Sequence, residues 1–343
     1  MRDCIRKVSP VTTRRRNVIR VLICGLTVFG LHIGYVRLVT PQITENQVGK
    51  PPTQIRSQRS PALLKGVDHF FVYSTEPEPL FKFFRDTLGL PQVWDFKSFG
   101  DFASGGVWMG NVEFEVVTWK PPPGTKPPTE FKGIAFEPVG YTNRLIEELD
   151  RRAIQHEKAE PTLMKDKQGR EFVGWINTGL DGPNGVPPSN VSIFAYDSTS
   201  KEEKAARNER SIAALNKVDG GPLGVVAVKE LAIGVVDLKI TQAKWRNLVD
   251  RPDQQSGNLY RFSHGPAIRL FAASTDGFKR IVLQVRSLRK AREFLAQRNL
   301  LGKTRDRVYI DPLAMGGLEI ILEQRYPVHP TRRLQSRGKG YAL

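Results

Sequence analysis

The sequence predicts an α+β fold: four βαβββ modules forming two cupped sheets, preceded by one N-terminal membrane helix. Three observations carry this expectation. One order of elements, a strand, a helix and then strands, recurs four times along the chain. The 343 residues exceed the roughly 100–200 of a usual domain. Near the start, sixteen residues without a formal charge lie between Arg20 and Arg37. The short sheet of one module leaves its concave face bare, so two modules must pair edge to edge to enclose a pocket. Four modules then make two domains.

The N-terminal element comes first. A bilayer core takes about 17–25 residues of helix, and flanking arginines can snorkel, so the uncharged run suits a short span or a signal segment. Arg2, Arg6, Lys7, Arg14, Arg15, Arg16 and Arg20 precede it, whereas only Arg37 and Lys50 follow closely. The positive-inside rule then keeps the N-terminus in the cytoplasm and places the folded domains outside. Arg15-Arg16 also resembles a twin-arginine export signal, but the first alanine beyond the segment is Ala62, too far for a cleavage site. An uncleaved single-pass anchor is expected, with an exported soluble protein as the alternative. His32 within the run is read as a tolerated polar residue. Residues 1–40 thus form a basic segment and anchor, and 41–64 a polar tether.

The folded part follows. In the first domain, 65–199, module one has a strand at 67–73, a helix carrying Leu80, Phe81, Phe83, Phe84 and Leu88 that stops at Gly89, and strands at 91–96, 102–109 and 112–119. Module two opens with a strand from Gly133, continues into a helix with Tyr141, Leu145, Ile146 and Leu149, and has strands at 172–177 and 191–196. A charged stretch, K-E-E-K-A-A-R-N-E-R, begins an interdomain helix and linker at 200–226. In the second domain, 227–326, module three runs from strand 231–236 through a helix capped by Asp237 to a strand at 267–272. Module four repeats the pattern in the stretch 281–288, with Ser287 as cap, a helix with Ala291, Phe294 and Leu295 on its buried face, and a strand at 318–322. Residues 327–343 form a basic tail.

Composition narrows the function. With 40% apolar and 25% charged residues the chain is an ordinary globular protein, and Cys4 and Cys24 are its only cysteines, which excludes a disulfide scaffold and a four-cysteine zinc site. The net charge of +17 is concentrated at the ends: residues 1–60 hold 11 Lys/Arg against Asp3 and Glu45, and residues 325–343 hold five with no acid. A nucleic-acid interface would need that charge on the folded part, so no nucleic-acid partner is expected.

Seven segments together resemble the vicinal oxygen chelate superfamily, which includes glyoxalase I, extradiol dioxygenases and bleomycin-resistance proteins. They are V-D-H-F-F-V (67–72), F-F-R-D-T-L-G-L (83–90), G-N-V-E-F-E-V-V (110–117), G-I-A-F-E (133–137), A-I-G-V-V-D-L (232–238), G-P-A-I-R-L (265–270) and I-V-L-Q-V-R-S-L (281–288). The resemblance implies a divalent metal, such as Zn, Fe, Mn or Ni, held by His or Glu side chains from the opening and closing strands of paired modules, acting as a Lewis acid toward substrate oxygens.

Residue by residue, the implied ligand set is incomplete. Module one keeps His69 on its opening strand and Glu115 on its closing strand, with Glu113 two residues earlier on the same face. Module two has Gly133 and Ala195 at the corresponding places. In the second domain Glu230 and Arg280 hold the opening positions and Arg269 one closing position, where it would repel a cation; no metal is expected there. Glu319 or Glu323 could complete a site if module one paired with module four. Without metal, His69 beside Glu115 would suit acid–base work. Arg261, Arg269 and Arg280 are candidate anion-binding residues. His264 is read as a turn residue, His156 as a helix-terminal one, and Trp94, Trp108 and Trp175 as mostly core, with room for one of them to line a pocket.

The expected function is therefore a membrane-anchored protein binding a small molecule in the pocket of the first domain, around His69, Glu113 and Glu115. Two alternatives stay open: a metal-dependent isomerase, lyase or dioxygenase with His69 and Glu115 as catalytic ligands, and a non-catalytic interaction platform at the membrane.

Overall fold

The computed structural model describes residues 62–325, apart from 99–100, 121–123, 125–126, 141, 166–167, 183–184, 250–256 and 303–306. The expected membrane segment with Cys4, Cys24 and His32, most of the tether and the basic tail lie outside the described residues. Among the described residues no helix is long and apolar enough to cross a membrane.

Strand β1 (Leu64–Tyr73) opens the first module. Helix α1 (Pro77–Lys82) continues into a π turn (Phe83–Thr87), and Gly89 ends it at φ 65°. Strands β2 (Gln92–Ser98), β3 (Phe102–Trp108) and β4 (Glu113–Trp119) complete the module. The second comprises β5 (Glu130–Pro138), α2 (Thr142–Arg151), β6 (Glu160–Lys165), β7 (Glu171–Gly179) and β8 (Val191–Ala195). Helix α3 (Ser198–Lys217) follows, with Asp197 accepting from the Ser200 backbone N–H at 2.8 Å as its N-cap.

Modules three and four differ from expectation. The third is β9 (Val225–Val235), α4 (Leu238–Val249), β10 (Leu259–Tyr260) and β11 (Ala267–Ala272). The fourth is β12 (Gly277–Val285), α5 (Leu288–Gln297), β13 (Val308–Ile310) and β14 (Glu319–Gln324). Among the described residues each is therefore βαββ rather than βαβββ. The expected caps Asp237 and Ser287 accept from the backbone N–H groups of Ile240 and Lys290.

The pairing of modules follows from the strand order. The first sheet runs β2-β3-β4-β1-β5-β8-β7-β6 and the second β10-β11-β9-β12-β14-β13. In each, the opening strands of two consecutive modules, β1 with β5 and β9 with β12, meet antiparallel at the centre. Module one thus pairs with module two. Glu319 and Glu323 lie on β14 of the other sheet, which removes the route by which they would complete a site at His69.

Alternation along each central strand divides the residues between two faces. On one face Phe70, Val72, Phe114 and Val116 are almost fully buried, with Phe84 edge-on to Phe114 at 4.7 Å. Ile233, Leu270, Leu283 and Ile320 do the same in the second sheet, beneath Trp245, Ala291 and Leu295 of its helices. The opposite, concave faces carry His69, Glu113 and Glu115 in one sheet and Glu230, Arg269 and Arg280 in the other.

The two sheets are joined through side chains and backbone. Asn111 acts like a strand partner, donating to Val228 O at 3.0 Å and accepting from Val228 N at 2.9 Å. Next to it Gly110 has φ 95°, and a Cβ there would come within 2.1 Å of Val226 O. Trp245 packs against Phe136 and donates to Pro187 O at 2.6 Å.

Candidate functional site

In the first cup, β1 and β4 run parallel with His69 beside Glu113 and Phe71 beside Glu115. A register irregularity between Val67 and His69 lets Asp68 and His69 reach each other, with Oδ1 and Nδ1 2.8 Å apart. Nε2 of His69 lies 3.7 Å from Oε2 of Glu115, the two side chains being 11% and 17% exposed. Ser104 donates a short hydrogen bond to Glu115 and receives one of 3.0 Å from Trp94 Nε1. Phe194 stands edge-on to the imidazole at 4.8 Å, and Trp175 stacks on Phe194. His69 therefore points inward, as expected, and Trp94 and Trp175 belong to this face rather than to the core.

The interdomain helix α3 lies across this cup. Ser200, Lys204, Ser211 and Leu215, spaced at helical intervals, form its buried face, and Ser200 Oγ donates to Val173 O of β7 at 2.8 Å. Lys204 Nζ sits 2.6 Å from Asp68 Oδ2 and 3.5 Å from Glu137, which also binds Lys65 at 2.6 Å. Arg207 grips Glu113 in a fork, Nε to Oε1 at 3.0 Å and Nη2 to Oε2 at 3.2 Å. Lys204 and Arg207 were not among the site residues expected from sequence. Their spacing of three, on a face otherwise of small residues, is the signal that could have found them.

Electrostatics at this site follow from burial. Burial alone would raise the Asp68 carboxyl, but Lys204 and His69 hold it well below the usual carboxylate range. For His69 burial disfavours the imidazolium, yet Asp68, with help from Glu115 and Glu113, outweighs it and raises the imidazole above its ordinary value. Burial raises Glu113 against the pull of Arg207, and raises Glu115 against those of His69 and Ser104.

These residues do not fit the implied metal. Module two supplies Gly133 and Ala195 where further ligands would stand, and Glu113 and Asp68 are already neutralised by Arg207 and Lys204. No three His, Cys, Asp or Glu side chains able to hold an ion come together among the described residues. His69 and Glu115 remain a pair, which is too few donors for a zinc or iron site.

The second cup is open. A groove of about 1090 Å³ lies on its concave face, with Glu230, Ala232, Arg269, Phe271, Arg280 and Val282 among its lining residues. Lys229, Arg289, Arg292 and Arg307 add positive charge, and among the described residues Glu230 and Glu323 are the carboxylates that line it. Both are paired, Glu230 with Arg269 at 2.7 Å and Glu323 with Lys229 at 2.5 Å. Of the three candidate anion-binding arginines, Arg269 and Arg280 line one groove, whereas Arg261, in the turn after β10, is not among its described lining residues. Outside both cups, His264 is bridged to Gly66, and His156 bonds Asp150 and the Glu157 carbonyl just beyond α2.

No family model matches the sequence, and no curated protein does. Solved structures do resemble it. A hypothetical protein from Staphylococcus aureus superimposes with a TM-score of 0.52 at 9% identity, over 76% of this chain and 99% of that one. A variant of homoprotocatechuate 2,3-dioxygenase from Brevibacterium fuscum gives 0.47 at 12% identity, over 84% of this chain and 77% of that one. A Mn(II)-bound glyoxalase from Novosphingobium aromaticivorans gives 0.46 at 10%, over 77% and 83%. Such identities speak to fold and leave the chemistry to the site. Consecutive modules pair two by two into cupped sheets, the arrangement that the resemblance to the vicinal oxygen chelate superfamily implies.

Proposed function

We propose that this chain is a small-molecule-binding protein built on the vicinal oxygen chelate fold, that its ligand is an organic anion received in the second cup without a metal, and that the N-terminal apolar segment holds it at a membrane. One observation carries the reading. Among the described residues, the open groove combines an apolar floor of Ala232, Phe271 and Val282 with cations that outnumber its carboxylates. Such a site suits a ligand with an apolar body and an oxyanion head. The first cup is a poorer host, because α3 already lies across it and Lys204 and Arg207 answer its carboxylates.

Thermal unfolding of the full chain with matched pairs of aromatic carboxylates and their neutral alcohols tests this. Stabilisation by the acids alone is expected; equal responses to both members of every pair would overturn the reading. The anchor has its own test in membrane fractionation. Full-length chain that stays soluble with an intact N-terminus would remove it.

A second reading is favoured by the aligned Asp68, His69 and Glu115. An imidazole oriented by one buried carboxylate and facing another at 3.7 Å is a metal-free proton-transfer pair. Deuterium exchange into small carbonyl compounds that is lost in Glu115→Gln would support it, and exchange at the rate of buffer alone would exclude it.

A further inference from the structure

The second cup contains two ion pairs of unequal quality, and their difference points to how a ligand is held. Glu230 and Arg269 meet at 2.7 Å, with the carboxylate 11% exposed. Arg280 and Glu319, neighbours in register on parallel β12 and β14, stand 3.6 Å apart and are 31% and 44% exposed. That separation is beyond a good hydrogen bond, so the Arg280 guanidinium is only loosely engaged. Arg280 instead lies over the Phe271 ring, 5.2 Å from its centroid.

We infer that Arg280 is the exchangeable anchor of this groove: it leaves Glu319 and closes as a fork on the carboxylate or phosphate head of the ligand, whose flat apolar body lies along Phe271. This rests on the anion-binding reading above and assigns it a residue. Arg269 keeps Glu230 and shapes the floor. No bond is made or broken; one loose charge pair is replaced by a bidentate one, and Glu319 turns to solvent. The guanidinium supplies what a metal would supply in a complete chelate site, a fixed positive charge facing two oxygens. Arg292 and Arg307 raise the local positive potential without being required to touch the head group, while Arg289 is paired with Glu293 at 2.6 Å.

The test is calorimetric titration of the full chain with 2-naphthoate and 2-naphthyl phosphate, with 2-naphthalenemethanol as the neutral control. Arg280→Gln should weaken the anions about tenfold or more, and Arg280→Lys should fall between that variant and wild type, because the charge stays but the fork is lost. Glu319→Gln should bind them more tightly than wild type, since it removes the internal competitor. If the anions bind wild type but all three variants match it, the Arg280 assignment is wrong while the anion-binding reading stands. If neither anion binds wild type, the reading itself falls, and this inference with it. A Glu319→Gln variant that folds and binds more weakly would also overturn the exchange.

Discussion

His69 is the residue whose chemistry depends most on its neighbours. Held between Asp68 and Glu115, it keeps its proton more tightly in the folded chain than in the unfolded one. The stabilisation from this raised value is complete below the unfolded pKa of about 6.5 and fades as pH rises through the folded one. Melting curves from pH 5 to 9 should therefore show wild type losing stability toward the alkaline end relative to His69→Gln; parallel curves would mean that the imidazole is not charged in the fold. The Lys204–Asp68 pair makes a sharper case. Removing one partner strands a charge in a site where Asp68 is wholly enclosed, so Lys204→Met should cost about 3–5 kcal/mol. The double variant Asp68→Asn, Lys204→Met should cost less than the two single costs combined, as a denaturant double-mutant cycle would measure.

At the scale of elements, much was legible in the sequence. The apolar alternation of β1, β4, β9 and β12 and the cap signals at Asp237 and Ser287 placed those elements because their faces meet a true core. Strands β6, β10 and β13 were missed for the opposite reason. β6 is mostly exposed and β10 and β13 are very short, so neither has a hydrophobic period to read. Helix α3 was legible as a helix but not as a cover. A helix that packs on apolar residues announces its inner face, whereas this one lands on carboxylates and so presents Ser200, Lys204, Arg207 and Ser211 to the sheet. Its start depends on one side chain, Asp197, which accepts from the Ser200 N–H. Asp197→Ala should cost about 0.5–2 kcal/mol in urea unfolding and lower the hydrogen-exchange protection of the first turn of α3. Unchanged protection there would show that the contacts of Lys204 and Arg207 hold the helix without its cap.

Across the whole molecule, most carboxylates on the two concave faces are held in internal charge pairs, and His69 and Glu115 keep the kind of donor that the resemblance implies at their positions. The first cup has Asp68 with Lys204 and Glu113 with Arg207, the second has Glu230 with Arg269 and Arg280 with Glu319, and Gly133 and Ala195 offer no donor. Edge-to-edge pairing decided this outcome, and it was not legible in any one module, because which strands meet is set by tertiary packing rather than by local period. An ion reaching Asp68, Glu113, Glu230 or Glu319 would have to displace an ammonium or guanidinium group already paired with that carboxylate. It would gain two side-chain donors at most from His69 and Glu115. Saturating Mn²⁺ or Zn²⁺ should therefore leave the melting temperature of the full chain unchanged, and chelators should not lower it. A ligand that binds only the folded state at a hundred times its dissociation constant adds about 2.7 kcal/mol, so real occupancy would be visible. A metal-induced rise in wild type that disappears in His69→Gln would place an ion in the first cup and reinstate metal chemistry for this chain.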